Sequence, residues 1–185
     1  MPAAVWVILD PNSSLAHHGF LDSENNGPRT RALVEEFIPW LEKRFRLIRS
    51  PSARIITGHS SGGWSSLWLQ LQHPEVFGAC FASAPDPVSF AEFGTVNLYR
   101  DLNLFRDSEG ELRPSLRTWL TPQDPHVILT IADEVAMERA LAPNGTSGEQ
   151  WDTWNAMYSS QNPDTLLPRR AFDPVTGEID PTIIE

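Results

Sequence analysis

The pattern of apolar and polar positions changes character near residue 87. Ahead of it, short apolar runs alternate with amphipathic stretches. Residues 4–9 (AVWVIL) form an apolar, β-branched and aromatic run that stops at Asp10-Pro11-Asn12. Such a run bounded by turn residues predicts a buried strand. After a polar loop, Leu33, Val34, Phe37, Ile38, Leu41, Phe45 and Ile48 recur at helical spacing, with Glu35, Glu36, Glu42, Lys43 and Arg44 opposite. Pro39 lies inside that pattern and should kink or split the helix. Residues 53–57 (ARIIT) predict a second strand, Trp64 to Leu71 a second helix, and residues 76–83 (VFGACFAS) a third strand. Strands alternating with helices imply a parallel sheet with crossover helices. The nucleus of this sheet should have the 53–57 strand between the other two, with Cys80 buried.

Beyond Pro87 the period is lost. Residues 105–112 (FRDSEGEL) and 172–179 (FDPVTGEI) share the order Phe, Asp, Gly, Glu, aliphatic, and predict two turns built on Asp and Gly. Each offers too few carboxylates for the ~6–8 oxygens that calcium takes. Asp124-Pro125 predicts a helix start running to Leu141; the competing reading is a strand over 126–132 with Asp133 at its end. Ser147 with Gln150 predicts a capping box opening a short helix that stacks Trp151, Trp154 and Tyr158 on one face. The expected organisation is residues 1–88 as an α/β core and 89–185 as a Trp- and Pro-rich insertion of helices and loops. Trp6, Trp40, Trp64 and Trp68 are expected in the core. Trp119, Trp151 and Trp154 either line a pocket or hold the insertion together.

Composition narrows the function. The 185 residues include 24 acidic and 14 basic side chains, a formal charge of -10. That balance argues against nucleic acid, because phosphate binding needs a Lys/Arg excess. The single cysteine excludes an internal disulfide. No apolar run approaches the roughly 18 residues of a membrane span. The start has no basic n-region and does not suggest a signal peptide, which leaves the cytoplasm as the default compartment.

The sharpest motif is Gly58-His59-Ser60-Ser61-Gly62, which has the G-x-S-x-G form between a predicted strand and a predicted helix. A nucleophilic serine needs that tight turn to project its hydroxyl at the carboxyl edge of a sheet. Its neighbours' N–H groups, at a helix start, suit a developing anion. Ser60 is therefore the candidate nucleophile and the Ser61 N–H the candidate oxyanion donor.

The stretch GHSSGGWSSLWLQLQHPEVFGACFASAPDPVSF resembles the esterase D-like (putative esterase) branch of the α/β-hydrolases, and HHGFLDSENNGPRTRALVEEFIPWLEKRFRLI is similar to the region ahead of the elbow in that branch. The resemblance covers roughly residues 1–90 and implies a partial α/β-hydrolase fold. The implied activity is a serine carboxylic-ester hydrolase acting on a small-molecule ester through an acyl-enzyme, with no cofactor and no metal. Only Ser60 and Ser61 map directly. The family's triad runs Ser, then Asp or Glu, then His, and the histidines here are His17, His18, His59, His73 and His126. No strand ending in a histidine follows His126. The chain therefore suggests an internal piece of a longer esterase, lacking the acid and histidine, with Asp86 and His126 as the remaining weak candidates. Asp86 follows the third strand at the same sheet edge as Ser60. His17-His18 suits a substrate-side loop better than a metal site, since no third ligand presents itself. Uncovered sheet edges would favour self-association. The competing function is a non-catalytic α/β-hydrolase-like binding module.

Overall fold

The computed structural model describes residues 4–121 and 124–183. It is a mixed α/β chain that divides into two compact units, Met1–Asp86 and Pro87–Glu185.

The first unit opens on two small antiparallel hairpins, β1 (Asn12–Ser13) with β2 (Ala16–His17) and β3 (Asp22–Ser23) with β4 (Gly27–Pro28). A continuous helical stretch follows: α1 (Arg29–Arg31), a π-helical segment (Ala32–Phe37) and α2 (Ile38–Arg44). Pro39 does not end the helix, but the α-helical ladder is interrupted just ahead of it. The π-helical segment stands immediately before it, with the Ile38 N–H bonded five residues back to Leu33 O. Widening the turn there relieves the clash a proline ring makes with the carbonyl four residues earlier. The helix ends at Arg44 and not near Arg49, so Phe45 and Ile48 are exposed.

β5 (Ile55–His59), α3 (Ser61–Gln72) and β6 (Ala79–Ser83) complete this unit. β5 and β6 are parallel, with Ile56 opposite Cys80 and His59 opposite Ser83, as the alternating pattern predicts. The third strand does not form. Residues 4–10 make no ladder, and Trp6 and Ile8 are 81% and 97% exposed. Strand composition does not by itself add a strand, because β-propensity is strongly context-dependent. Among the described residues β5 and β6 pair only with each other, and Cys80 is half-buried instead of buried. The core of the unit is Leu33, Leu69 and Phe77, joined at its margin by Leu9, Phe20, Ile56 and Trp68. Trp64 is buried and stacks on Trp68, whereas Trp40, expected in the core, is exposed.

In the second unit, β7 (Pro114–Thr121) and β8 (Asp124–Thr130) form an antiparallel pair, then α4 (Ile131–Leu141) and α5 (Gln150–Tyr158) follow. The helix expected from Asp124 is thus a strand up to Thr130. Pairing of the 124–130 segment with β7 outweighs its helical spacing, as sheet context commonly does. The helix start is marked three residues ahead of Asp133. Thr130 Oγ1 accepts from the Asp133 N–H at 3.2 Å, and the Asp133 carboxylate accepts from the Thr130 N–H at 2.9 Å, a reciprocal capping box.

The α5 start also differs from expectation. Its N-cap is Glu149, without a side-chain cap bond of its own. Ser147 instead donates to Asp152 at 2.6 Å, and the first N–H groups of α5 are taken by a carboxylate from α4. Glu138 accepts from the Trp151 and Asp152 N–H groups, each at 2.9 Å. The two Asp–Gly turns form as predicted. Asp107 Oδ1 accepts from Glu109 and Glu111, and Asp173 Oδ1 from Val175 and Thr176. Gly177 at φ 76° is obligatory, because a Cβ there would lie 2.6 Å from the Phe105 ring. Trp151 is buried with Phe93, Leu104, Phe105, Ile131 and Phe172, and Trp154 packs against them. Both expectations hold for these two tryptophans, which pack in this core and also line a cavity with Phe90, Leu98, Tyr158 and Ile183; the side chain of Trp119 lies outside the described residues.

Candidate active site

Ser60 occupies the single residue between β5 and α3. Its backbone sits at φ 55°, ψ −125°, a region that costs a non-glycine residue on the order of 1–3 kcal/mol. The sequence predicts both the junction and the strain. The surrounding glycines explain how the turn closes. A Cβ on Gly58 would lie 2.1 Å from Gly62 O, and one on Gly63 would lie 2.8 Å from Ser83 O. A Cβ on Gly62 would meet nothing within 4 Å. The positions that demand glycine are therefore Gly58 and Gly63, one inside the five-residue motif and one just past it.

Hydrogen bonds fasten the elbow to the end of β6. The Ser60 N–H donates to Ser83 O at 3.0 Å, and the Asp86 N–H to Ser60 O at 3.4 Å. Between them Ala84 takes φ 40°, which turns the chain so that Asp86 comes back to the elbow. The Asp86 side chain is 8% exposed and bridges both serines. Ser60 Oγ donates to its Oδ1 at 3.2 Å, and Ser61 Oγ to its Oδ2 at 2.6 Å. Ser60 itself is exposed. The Ser61 N–H belongs to the first turn of α3, where backbone donors have no acceptor within the helix.

Among the described residues no imidazole hydrogen-bonds Ser60. His126 lies on β8, opposite Thr118, in the other unit, and it is exposed. His59 is exposed and faces Ser83 Oγ at 3.2 Å. His73 pairs with Glu75 at 3.0 Å beyond the end of α3. His18 is buried, takes the Phe20 N–H on Nδ1 at 3.1 Å, and is pushed down to about 4 by burial, with Arg29 and His17 adding to the effect. His17, on β2, is half-buried and lowered by that burial, while the Asp86 charge pulls it the other way. His17 is thus within the field of Asp86. Nothing in the local pattern points to that influence, because the return path of a loop is not written there. The Ser61 hydroxyl contact was also missed; a second polar residue directly after the motif serine was the available signal.

Asp133 is engaged in its capping box, and the Thr130 donors hold its carboxyl below the usual range. Asp101 pairs with Arg113 at 2.8 Å. Among the described residues no three His, Cys, Asp or Glu side chains cluster as a metal site, and no helix is long and apolar enough to cross a membrane.

The site therefore presents an exposed serine on a strained strand-to-helix turn beside a buried carboxylate. The putative esterase family model matches residues 20–167, well over half the chain. The chain belongs to the putative esterase family. That membership carries hydrolase chemistry on a small-molecule ester as the general activity. No curated protein matches the chain.

Proposed function

We propose that this esterase-family chain is a serine carboxylic-ester hydrolase of α/β-hydrolase type, with Ser60 as nucleophile. The observation that carries the reading is the hydroxyl of Ser60, exposed on a strained elbow and hydrogen-bonded to the buried Asp86 carboxylate. In the proposed reaction Ser60 Oγ bonds to the ester carbonyl carbon and its proton passes to Asp86 Oδ1. The carbonyl electron pair moves onto oxygen, where the Ser61 N–H meets it. Collapse expels the alcohol oxygen, which takes the proton from Asp86, and leaves Ser60 acylated. Water then repeats the sequence and releases the acid.

A carboxylate is a weaker base than an imidazole, so turnover should be slow beside an imidazole-assisted serine. Mass spectrometry of the chain quenched during turnover of p-nitrophenyl acetate should find the acetyl group on Ser60. An acetyl group elsewhere, or none, refutes the mechanism. One observation favours the alternative of a non-catalytic binding module: no imidazole bonds Ser60 among the described residues. That reading expects ester binding without turnover.

A further inference from the structure

We infer that the side chain of Ser61 is a positioning group that anchors the Asp86 carboxylate so that its other oxygen faces Ser60. The inference rests on the nucleophile reading and adds to it, since there Ser61 contributes only its backbone N–H. The hydrogen bonds from the two serine hydroxyls to Asp86 are unequal. At 2.6 Å the bond from Ser61 Oγ to Oδ2 is as short as charge-assisted O–H···O⁻ bonds become; at 3.2 Å the bond from Ser60 Oγ to Oδ1 is loose. Ser61 is therefore the fixed partner. Ser60 is the exchangeable one, free to turn its oxygen toward a substrate.

The rest of α3 shows that this use of the hydroxyl is not what a serine in this helix does by default. Ser65 and Ser66 turn back on their own helix, donating to Ser61 O at 2.8 Å and Gly62 O at 2.7 Å. Those are the usual local bonds of helical serines. Ser61 bonds a residue 25 positions away in sequence instead. Nor does it cap the helix: the N-cap is Ser60, and no side-chain cap bond is made there. A carboxylate on a turn has two side-chain torsions to settle, and a short bond from a helix restricts them.

The test compares Ser61→Ala with Ser61→Thr, the second retaining the hydroxyl. In p-nitrophenyl acetate hydrolysis, Ser61→Ala should lower kcat by about tenfold, as expected for loss of a bond to a charged group. KM should stay within about twofold, and Ser61→Thr should restore most of the rate. In an Asp86→Ala background, Ser61→Ala should add no further loss, since its partner is gone. Independently of turnover, the Asp86 ¹³Cγ resonance and χ1 couplings should shift in Ser61→Ala and return in Ser61→Thr. An unmoved Asp86 resonance, or losses that add in the double variant, overturns the positioning role. Hydrolysis that Ser60→Ala leaves untouched would refute the nucleophile reading instead, and the Asp86 resonance would still decide the role of Ser61.

Discussion

The two units solve different problems with similar material. Met1–Asp86 has a small core around Leu33, Leu69 and Phe77, and leaves Trp6, Ile8, Trp40 and Ile48 exposed. Its structural precision is concentrated at one polar elbow, where backbone strain, two close-packed glycines and a buried carboxylate meet. Pro87–Glu185 has less regular structure, yet it buries Phe93, Leu104, Phe105, Ile131, Trp151 and Phe172 together. Its carboxylates go into turns and caps. Dense packing and chemical readiness are separable properties, and in this chain they fall on opposite sides of residue 87.

The largest effect should come from the elbow. Gly58→Ala drives a Cβ to 2.1 Å from Gly62 O, and overpacking against backbone that cannot yield should cost about 3 kcal/mol or more. Gly62→Ala, with open space around its Cβ and a helical position, should be neutral or stabilising by up to about 1 kcal/mol. Urea unfolding of the two variants measures the contrast. Equal losses would show that the close approach of Gly62 O to Gly58 does not decide which motif position needs glycine.

The two units should also answer pH in opposite directions. Burial pushes Glu138 up to about 7 against the pull of the two backbone donors, with the charges of Asp152 and Glu149 adding to the rise. The folded form therefore holds the proton more tightly than the unfolded chain. Stability from this group is greatest below about pH 4.5 and declines as pH rises to about 7. His18 has the reverse sign. Its folded value of about 4 lies below the ordinary 6.5, so its contribution is complete above 6.5 and is lost as pH falls toward 4. Hydrogen exchange by mass spectrometry, referenced to unfolded-peptide rates, should show acid between pH 6.5 and 4.5 loosening residues 12–28 and tightening α4 and α5. Glu138→Gln should flatten the second trend. Parallel trends in the two units would contradict this assignment.

A smaller effect is expected at the α4 start. Thr130→Ala removes one half of the capping box and should cost about 1 kcal/mol. Ser147→Ala tests the α5 start, where the Glu138 carboxylate already takes the Trp151 and Asp152 N–H groups. Its loss should be smaller than that of Thr130→Ala in the same urea titration.

Much of this was legible in the sequence where local chemistry decides. The GHSSG motif between an apolar strand and an amphipathic helix specified the elbow, its strained serine and the parallel β5–β6 pair. The Asp–Gly turns at 107–110 and 173–177 were equally plain, because Asp side chains and glycine conformations act over three or four residues. What failed depended on distant partners. Residues 4–9 have strand composition but no strand beside them, and Val127 and Ile128 have helical spacing but lie on β8, which pairs with β7. The Glu138 carboxylate capping α5, and Ser61 bonding Asp86, are contacts made across 13 and 25 positions of sequence. Their residue types were visible; their meeting was not.

Covalent labelling with a fluorophosphonate probe, followed by peptide mapping, reads whether the strained elbow makes Ser60 a nucleophile. A label on Ser60 is expected, absent in Ser60→Ala, strongly slowed in Asp86→Ala and unchanged in His126→Ala. A chain that takes no label, or one labelled equally in wild type and Ser60→Ala, would contradict that role.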